Sequence, residues 1–147
     1  MRKYYNKLLL NSKLNVMSNE LCRSVIAMNN HITFVAIINE KGKVDESQGR
    51  SCIIEKLPSA MKEMFFMENA LRHRMRKDFD RDLGQVRFTY VERSKRGILS
   101  FPMDDQLLLV SFLRTHVDSL TLARSITQLV RRYKKKLENI SQVLLSQ

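Results

Sequence analysis

Glu68 is the one acid among the apolar side chains at the head of "FFMENALRHRMRKDFDRD", residues 65–82. At about 100° per residue, Met61, Met64, Phe65, Leu71, Met75, Phe79 and Leu83 all fall within roughly 60° of it on a helical wheel. The carboxylate thus lies in the middle of an apolar stripe. The stripe is expected to seat the helix against a sheet with Glu68 pointing inward, so the ionised group must be paired or hydrogen-bonded, or its pKa must rise. Arg72, one helical turn further on, is the obvious partner. Two chemistries follow. Glu68 could act as an acid/base group or as the polar anchor of a ligand pocket. Alternatively it makes a structural bond to Arg72 or to the backbone of a sheet, because structural ion pairs perturb carboxylates as readily. Glu68 and Arg72 are therefore a candidate buried polar anchor. Phe66, Ala70 and His73 fall on the outward face of the same helix, where an exposed Phe beside small residues could seed a dimer contact.

Positive charge offers a second chemistry. The chain carries 26 Lys and Arg against 15 Asp and Glu. The net charge of +11 is spread as +4 over residues 1–60, +4 over 61–100 and +3 over 101–147, which attracts polyanions without marking one dedicated face. Two clusters stand out: Arg93, Lys95 and Arg96, then "RRYKKK", with Arg131, Arg132, Lys134, Lys135 and Lys136 around Tyr133. On one side of the molecule they would make a phosphate-contacting surface; apart, they are solvated helix and turn. No familiar DNA-reading module is evident, and the tyrosines are not gathered on a basic strand for base stacking.

Other chemistries lack their residues. The four glycines, Gly42, Gly49, Gly84 and Gly97, form neither GxGxxG nor GxxxxGK[ST], so no cofactor is implied. His31, His73 and His116 are widely separated, and His116-x-Asp118 reads as a helix-cap neighbourhood rather than a metal site. No GxSxG and no sensible Cys–His pairing appears, so the case for an enzyme is weak. Cys22 and Cys52 are too few for a disulfide scaffold and read as reduced, small apolar side chains. No run approaches the roughly 18 apolar residues of a membrane span, and the chain reads as cytoplasmic.

The elements that would position these residues follow from periodicity. A length of 147 residues suits one domain over 1–147, able to bury a core without disulfides or metals. Leu10, Leu14, Met17, Leu21, Val25 and Met28 share one face of a helix over about 4–28. The core, about 31–115, opens with "ITFVAIIN", a strand buried on both faces. A turn at Gly42 leads to a polar strand within 43–54, suited to a sheet edge. Pro58 and Ser59 open a helix reaching about Asp82, stopped by Gly84. From Gln85 the pattern alternates, and three strands follow with short links: "QVRFTYVER", "RGILSFPM" and "QLLLVSFL". Asp118 or Ser119 caps a last helix over about 119–145, whose Ile126, Val130, Tyr133, Leu137, Ile140 and Leu144 keep a heptad.

With the two greasiest strands adjacent at the centre, the fold class is α+β: a five-stranded antiparallel sheet in order 2-1-5-4-3. The terminal helices cover one face and the middle helix the other. This resembles the profilin-like and Roadblock-type architecture. Separately, "FVAIINEKGK", "FMENALRHRMRKDFD" and "ILSFPMDDQLLLVSF" resemble three signature stretches of a small archaeal family abundant in ammonia oxidisers; the likeness covers roughly residues 30–115. It implies a cytosolic archaeal protein and supplies no catalytic residues. The expectation is a non-enzymatic regulatory module that binds a protein partner or forms a homodimer. The alternatives are sequence-nonspecific nucleic-acid binding through the two basic clusters, and a small-ligand sensor.

Overall fold

The computed structural model describes residues 1–50 and 53–146. Helix α1 (Arg2–Ala27) precedes strands β1 (Ile32–Ile38) and β2 (Val44–Gly49). Short helix α2 (Ile53–Lys56), helix α3 (Ser59–Lys77) and the single turn α4 (Asp80–Leu83) follow. Strands β3 (Thr89–Glu92), β4 (Arg96–Met103) and β5 (Gln106–Leu113) lead to helix α5 (Ser119–Leu145). The sheet is antiparallel throughout, in spatial order β2-β1-β5-β4-β3, as the periodicity predicts.

β1 and β5 are buried along almost their whole length, which is why both read as continuous apolar runs. Residues on alternate sides of them enter two different cores. Ile32, Val35, Ile37, Leu108, Val110 and Phe112 point into the layer built with α1 and α5. Phe34, Ala36, Ile38, Leu107 and Leu109 point into the layer built with α2 and α3. The terminal helices therefore share one face, and the middle helix takes the other.

Some boundaries differ from the sequence expectation. The alternation beginning at Gln85 forms strand only over Thr89–Glu92, although Phe88 and Tyr90 do pack against the α1/α5 core. The polar strand ends at Gly49, and Ile53–Lys56 turns into helix instead. Cys52 lies outside the described residues. The middle helix stops at Lys77 and resumes for one turn at Asp80, where Phe79 (φ −103°, ψ 2°) breaks its geometry. Gly84, with φ +85°, ends that turn in a conformation that suits glycine.

The heptad on α5 finds its partner within the chain. Ile126, Val130, Tyr133 and Leu144 are buried, with α1 alongside. Asp118 caps α5: its Oδ1 accepts the backbone N–H groups of Leu120 and Thr121, and its Oδ2 accepts the Thr121 hydroxyl. These bonds, led by that of the Thr121 side chain, hold the Asp118 carboxyl below its usual range. Midway along the helix pair, the hydroxyls of Ser18 and Tyr133 share a buried hydrogen bond of 2.9 Å. Burial pushes the Tyr133 phenol upward and the neighbouring Cys22 thiol up to about 12, so that sulfur behaves as an inert apolar group.

Tyr133→Phe strands the Ser18 hydroxyl without its partner and should cost about 1–3 kcal/mol in chemical denaturation. Adding Ser18→Ala should recover part of that loss, because the orphaned group is then gone. Equal stability of the wild type and the single variant would show that the bond contributes nothing.

Candidate interaction surface

The sequence reading has α3 facing the wrong way. Phe66 and Ala70, expected to face outward, are the buried residues of the helix, each 4% exposed. Phe66 fills the space above β1, its ring 6.2 Å from that of Phe34, and Phe65 meets it edge-on at 5.4 Å. The β1–β2 turn comes so close to α3 that a Cβ on Gly42 would sit 2.8 Å from Met67 Cα. At the far end of α3, Lys77 Nζ donates to the Asp104 carbonyl in the β4–β5 turn at 3.1 Å. The helix is thus held at its middle and at its C-terminal end with its narrow Phe66/Ala70 face inward.

The broad stripe consequently faces solvent. Met61, Met64, Leu71, Met75, Phe79 and Leu83 of the stripe are exposed, as is Met67 beside it, while Phe65 is half-buried against the core. Glu68 and Arg72 do pair, Nε to Oε1 at 3.0 Å, but with side chains 58% and 60% exposed they form a surface ion pair, not a buried anchor. The physical reason is the charge itself: a stripe centred on a carboxylate is costly to bury, and a face of Phe, Ala and a neutral imidazole is not.

His73 lies at the margin of the buried face. Its Nε2 is shut off from solvent and has no hydrogen-bond partner among the described residues. Burial lowers its pKa, the charges of Lys77 and Arg76 lower it further, and Asp80 opposes them. It therefore serves as a neutral packing residue rather than the exposed interface residue expected.

A groove of about 670 Å³ runs between the outer flank of α2–α3 and the sheet. Ile53, Met61, Met64, Phe65 and Glu68 form one wall, and Arg93, Arg96 and Ile98 the other. Ile98 and Ser100 lie on this face because they pair with Ser111 and Leu109, whereas Leu99 and Phe101 enter the opposite core. Next to them, β3 is the sheet's edge and carries an exposed Val91. The helix stripe, the groove and the strand edge are continuous.

The two basic clusters do not converge. Arg93 and Arg96 stand at the β3–β4 turn beside this groove, Arg96 Nη1 donating to Thr33 Oγ1 at 3.3 Å; Lys95 is in the same turn. Arg131 and Lys134 border a cleft of about 520 Å³ near Phe101 and Pro102, at the other end of β4. That separation is about 17–20 Å along the strand. Arg132 and Lys136 turn towards Met17 and Glu20 of α1, and Lys135 is exposed. Among the described residues, no three His, Cys, Asp or Glu side chains gather as metal ligands. No described helix is long and apolar enough to cross a membrane.

These layers define an α+β fold of the kind shared by Roadblock/LC7 domains and profilins. Three solved structures illustrate the likeness. A Roadblock/LC7 domain from Streptomyces avermitilis superposes with a TM-score of 0.62 at 16% identity, covering 82% of this chain and 97% of that one. MglB with a tetrameric arrangement gives 0.64 at 13%, covering 89% and 92%. Profilin II from Acanthamoeba castellanii gives 0.57 at 11%, covering 81% and 98%. No family model and no curated protein matches the sequence, so the archaeal resemblance of the three stretches gains no support.

Two measurements check the orientation of α3. Glu68→Gln should change stability by less than about 0.5 kcal/mol, the scale of an exposed ion pair one turn apart, whereas Phe66→Ala should cost about 3–5 kcal/mol. For His73 the folded pKa is below the ordinary 6.5, so the unfolded chain takes up the proton first as pH falls. Its contribution is complete above 6.5 and declines below it, until the folded imidazole also titrates. Denaturation midpoints measured between about pH 7.5 and 5.5 should fall, and His73→Gln should flatten that dependence.

Proposed function

We propose that this chain is a non-enzymatic regulatory module that pairs with a second copy of itself through the outer face of α3 and the adjoining β3–β4 surface. The observation that carries this reading is the inversion of α3: its widest apolar stripe is turned to solvent while a narrower face holds it to the sheet. Such a patch has the character of an interaction site. Its methionines are unbranched and adapt to an opposing surface.

Charge favours a second copy as the occupant. A two-fold contact makes each surface meet itself, so residue i touches j and j touches i. Centred between Glu68 and Arg72, it sets each copy's carboxylate against the other's guanidinium, while Arg93 and Arg96 stay at the rim of the contact. The edge of β3 lies alongside, where unpaired backbone groups can extend the sheet. That MglB, similar in fold, is found in a tetrameric arrangement supports association on this scaffold.

Light scattering should give twice the 17.3 kDa of one chain at micromolar concentration. Leu71→Glu with Met75→Glu should return the monomer mass without lowering the melting temperature of that monomer, because both side chains are exposed. A mass of 17.3 kDa for the wild type at every concentration would overturn self-association.

A further inference from the structure

The opposite layer carries a second apolar surface, at the tip formed by the start of α1 and the end of α5. α1 and α5 run antiparallel here: Ser18 meets Tyr133, and further out Asn6 Nδ2 donates to the Leu144 carbonyl at 3.2 Å. Every fully buried residue of α1 is at Ser18 or later. Before it, Leu10, Leu14 and Met17 give the helix its half-buried seam. Tyr4, Tyr5, Leu8 and Leu9 fall roughly opposite that seam on the helical wheel. They are 48–65% exposed, and Val143 and Leu145 at the end of α5 are 57% and 77% exposed. One end of the helix pair is therefore tipped with six apolar or aromatic side chains in water.

The charge around this tip has one sign. Arg2, Lys3, Lys7 and Lys13 are the ionisable side chains of residues 1–19 apart from the two tyrosines; the first acid is Glu20. On α5 the last acid is Glu138, level with Lys13 by the Ser18–Tyr133 and Asn6–Leu144 pairings, so the turns beyond it carry only the positive Arg2, Lys3 and Lys7 among the described side chains. None of the four cations is in an ion pair among the described residues. A second copy of this tip would bring like charges together, so self-pairing is opposed. An anionic lipid surface matches both features: the headgroups neutralise the cations, and tyrosine and leucine side chains enter the boundary with the acyl chains.

From this geometry we infer that the α1–α5 tip docks on membrane surfaces rich in anionic phospholipid, lying in the interface without spanning it. The site is on the sheet face opposite α3, so the docking does not depend on how the α3 stripe is used. A single helix turn of apolar contacts binds weakly, and each Lys near an anionic leaflet adds about fivefold in affinity. The attraction is therefore salt-dependent.

The chain has no Trp, so Tyr5→Trp makes a site-specific reporter. Titrating it with vesicles of phosphatidylcholine plus phosphatidylserine should shift its emission to the blue, and phosphatidylcholine alone should give little or no shift. Lys3→Glu with Lys7→Glu should weaken binding at least tenfold, and so should Leu8→Gln with Leu9→Gln, with far-ultraviolet circular dichroism unchanged in both. Absence of a shift, equal binding to neutral vesicles, or undiminished binding by both double variants overturns the proposal. So does loss of oligomer mass in the Leu8/Leu9 variant without vesicle binding by the parent, which assigns the tip to a protein contact.

Discussion

The antiparallel pairing of β1 with β5 places two strands that are buried on both faces side by side at the centre of the sheet. Neither can tolerate water on either side, so each face of the pair must be covered by helix. One layer cannot do this, and two separate cores result. On one side Phe112, Val110 and Leu108 meet α1 and α5; on the other Phe34, Leu107 and Leu109 meet α2 and α3. The sheet order follows as well, because the polar β2 and the short β3 are what remain for the edges.

The two covers are unequal. α1 and α5 make a helix pair as well as a lid, with a heptad seam and the Ser18–Tyr133 hydrogen bond inside it, and burial there makes Cys22 inert. α3 is held by Phe66, Ala70 and the close passage of Gly42 under Met67. It covers β1 and β5, while Ile98 on β4 and Val91 on β3 border an open groove and a free edge. Incomplete cover leaves one continuous apolar surface on that side. On the other side the helix pair leaves a small, positively charged apolar tip. Both surfaces arise where a helix has two apolar faces and the sheet can use only one.

Much of this organisation is legible from residue order. Continuous apolar runs at 32–38 and 106–113 mark the central strands, and a polar run marks an edge. The heptad of α5 and its Asp118 cap are both as read, since each depends on spacing within one helix. The site was harder to see. Periodicity shows that α3 has an apolar stripe, but the stripe and its opposite face carry comparable claims on the sheet, and the sheet takes the narrower one. Glu68 itself was the available signal: an ionisable group at the centre of a stripe argues for water on that side. The basic residues around 93–96 and 131–136 are neighbours in composition only; the length of β4 keeps them apart.

The sequence by itself determined the three long helices, the five strands and their order in the sheet, and the apolar faces of those helices, because hydrophobic period and turn residues act over a few neighbouring positions. Only the tertiary structure decided which face of α3 the sheet would take, and with it which residues are free for a partner. That choice rests on contacts between residues distant along the chain, such as Phe66 with Phe34 and Gly42 with Met67. Shape complementarity across such a gap has no period to read.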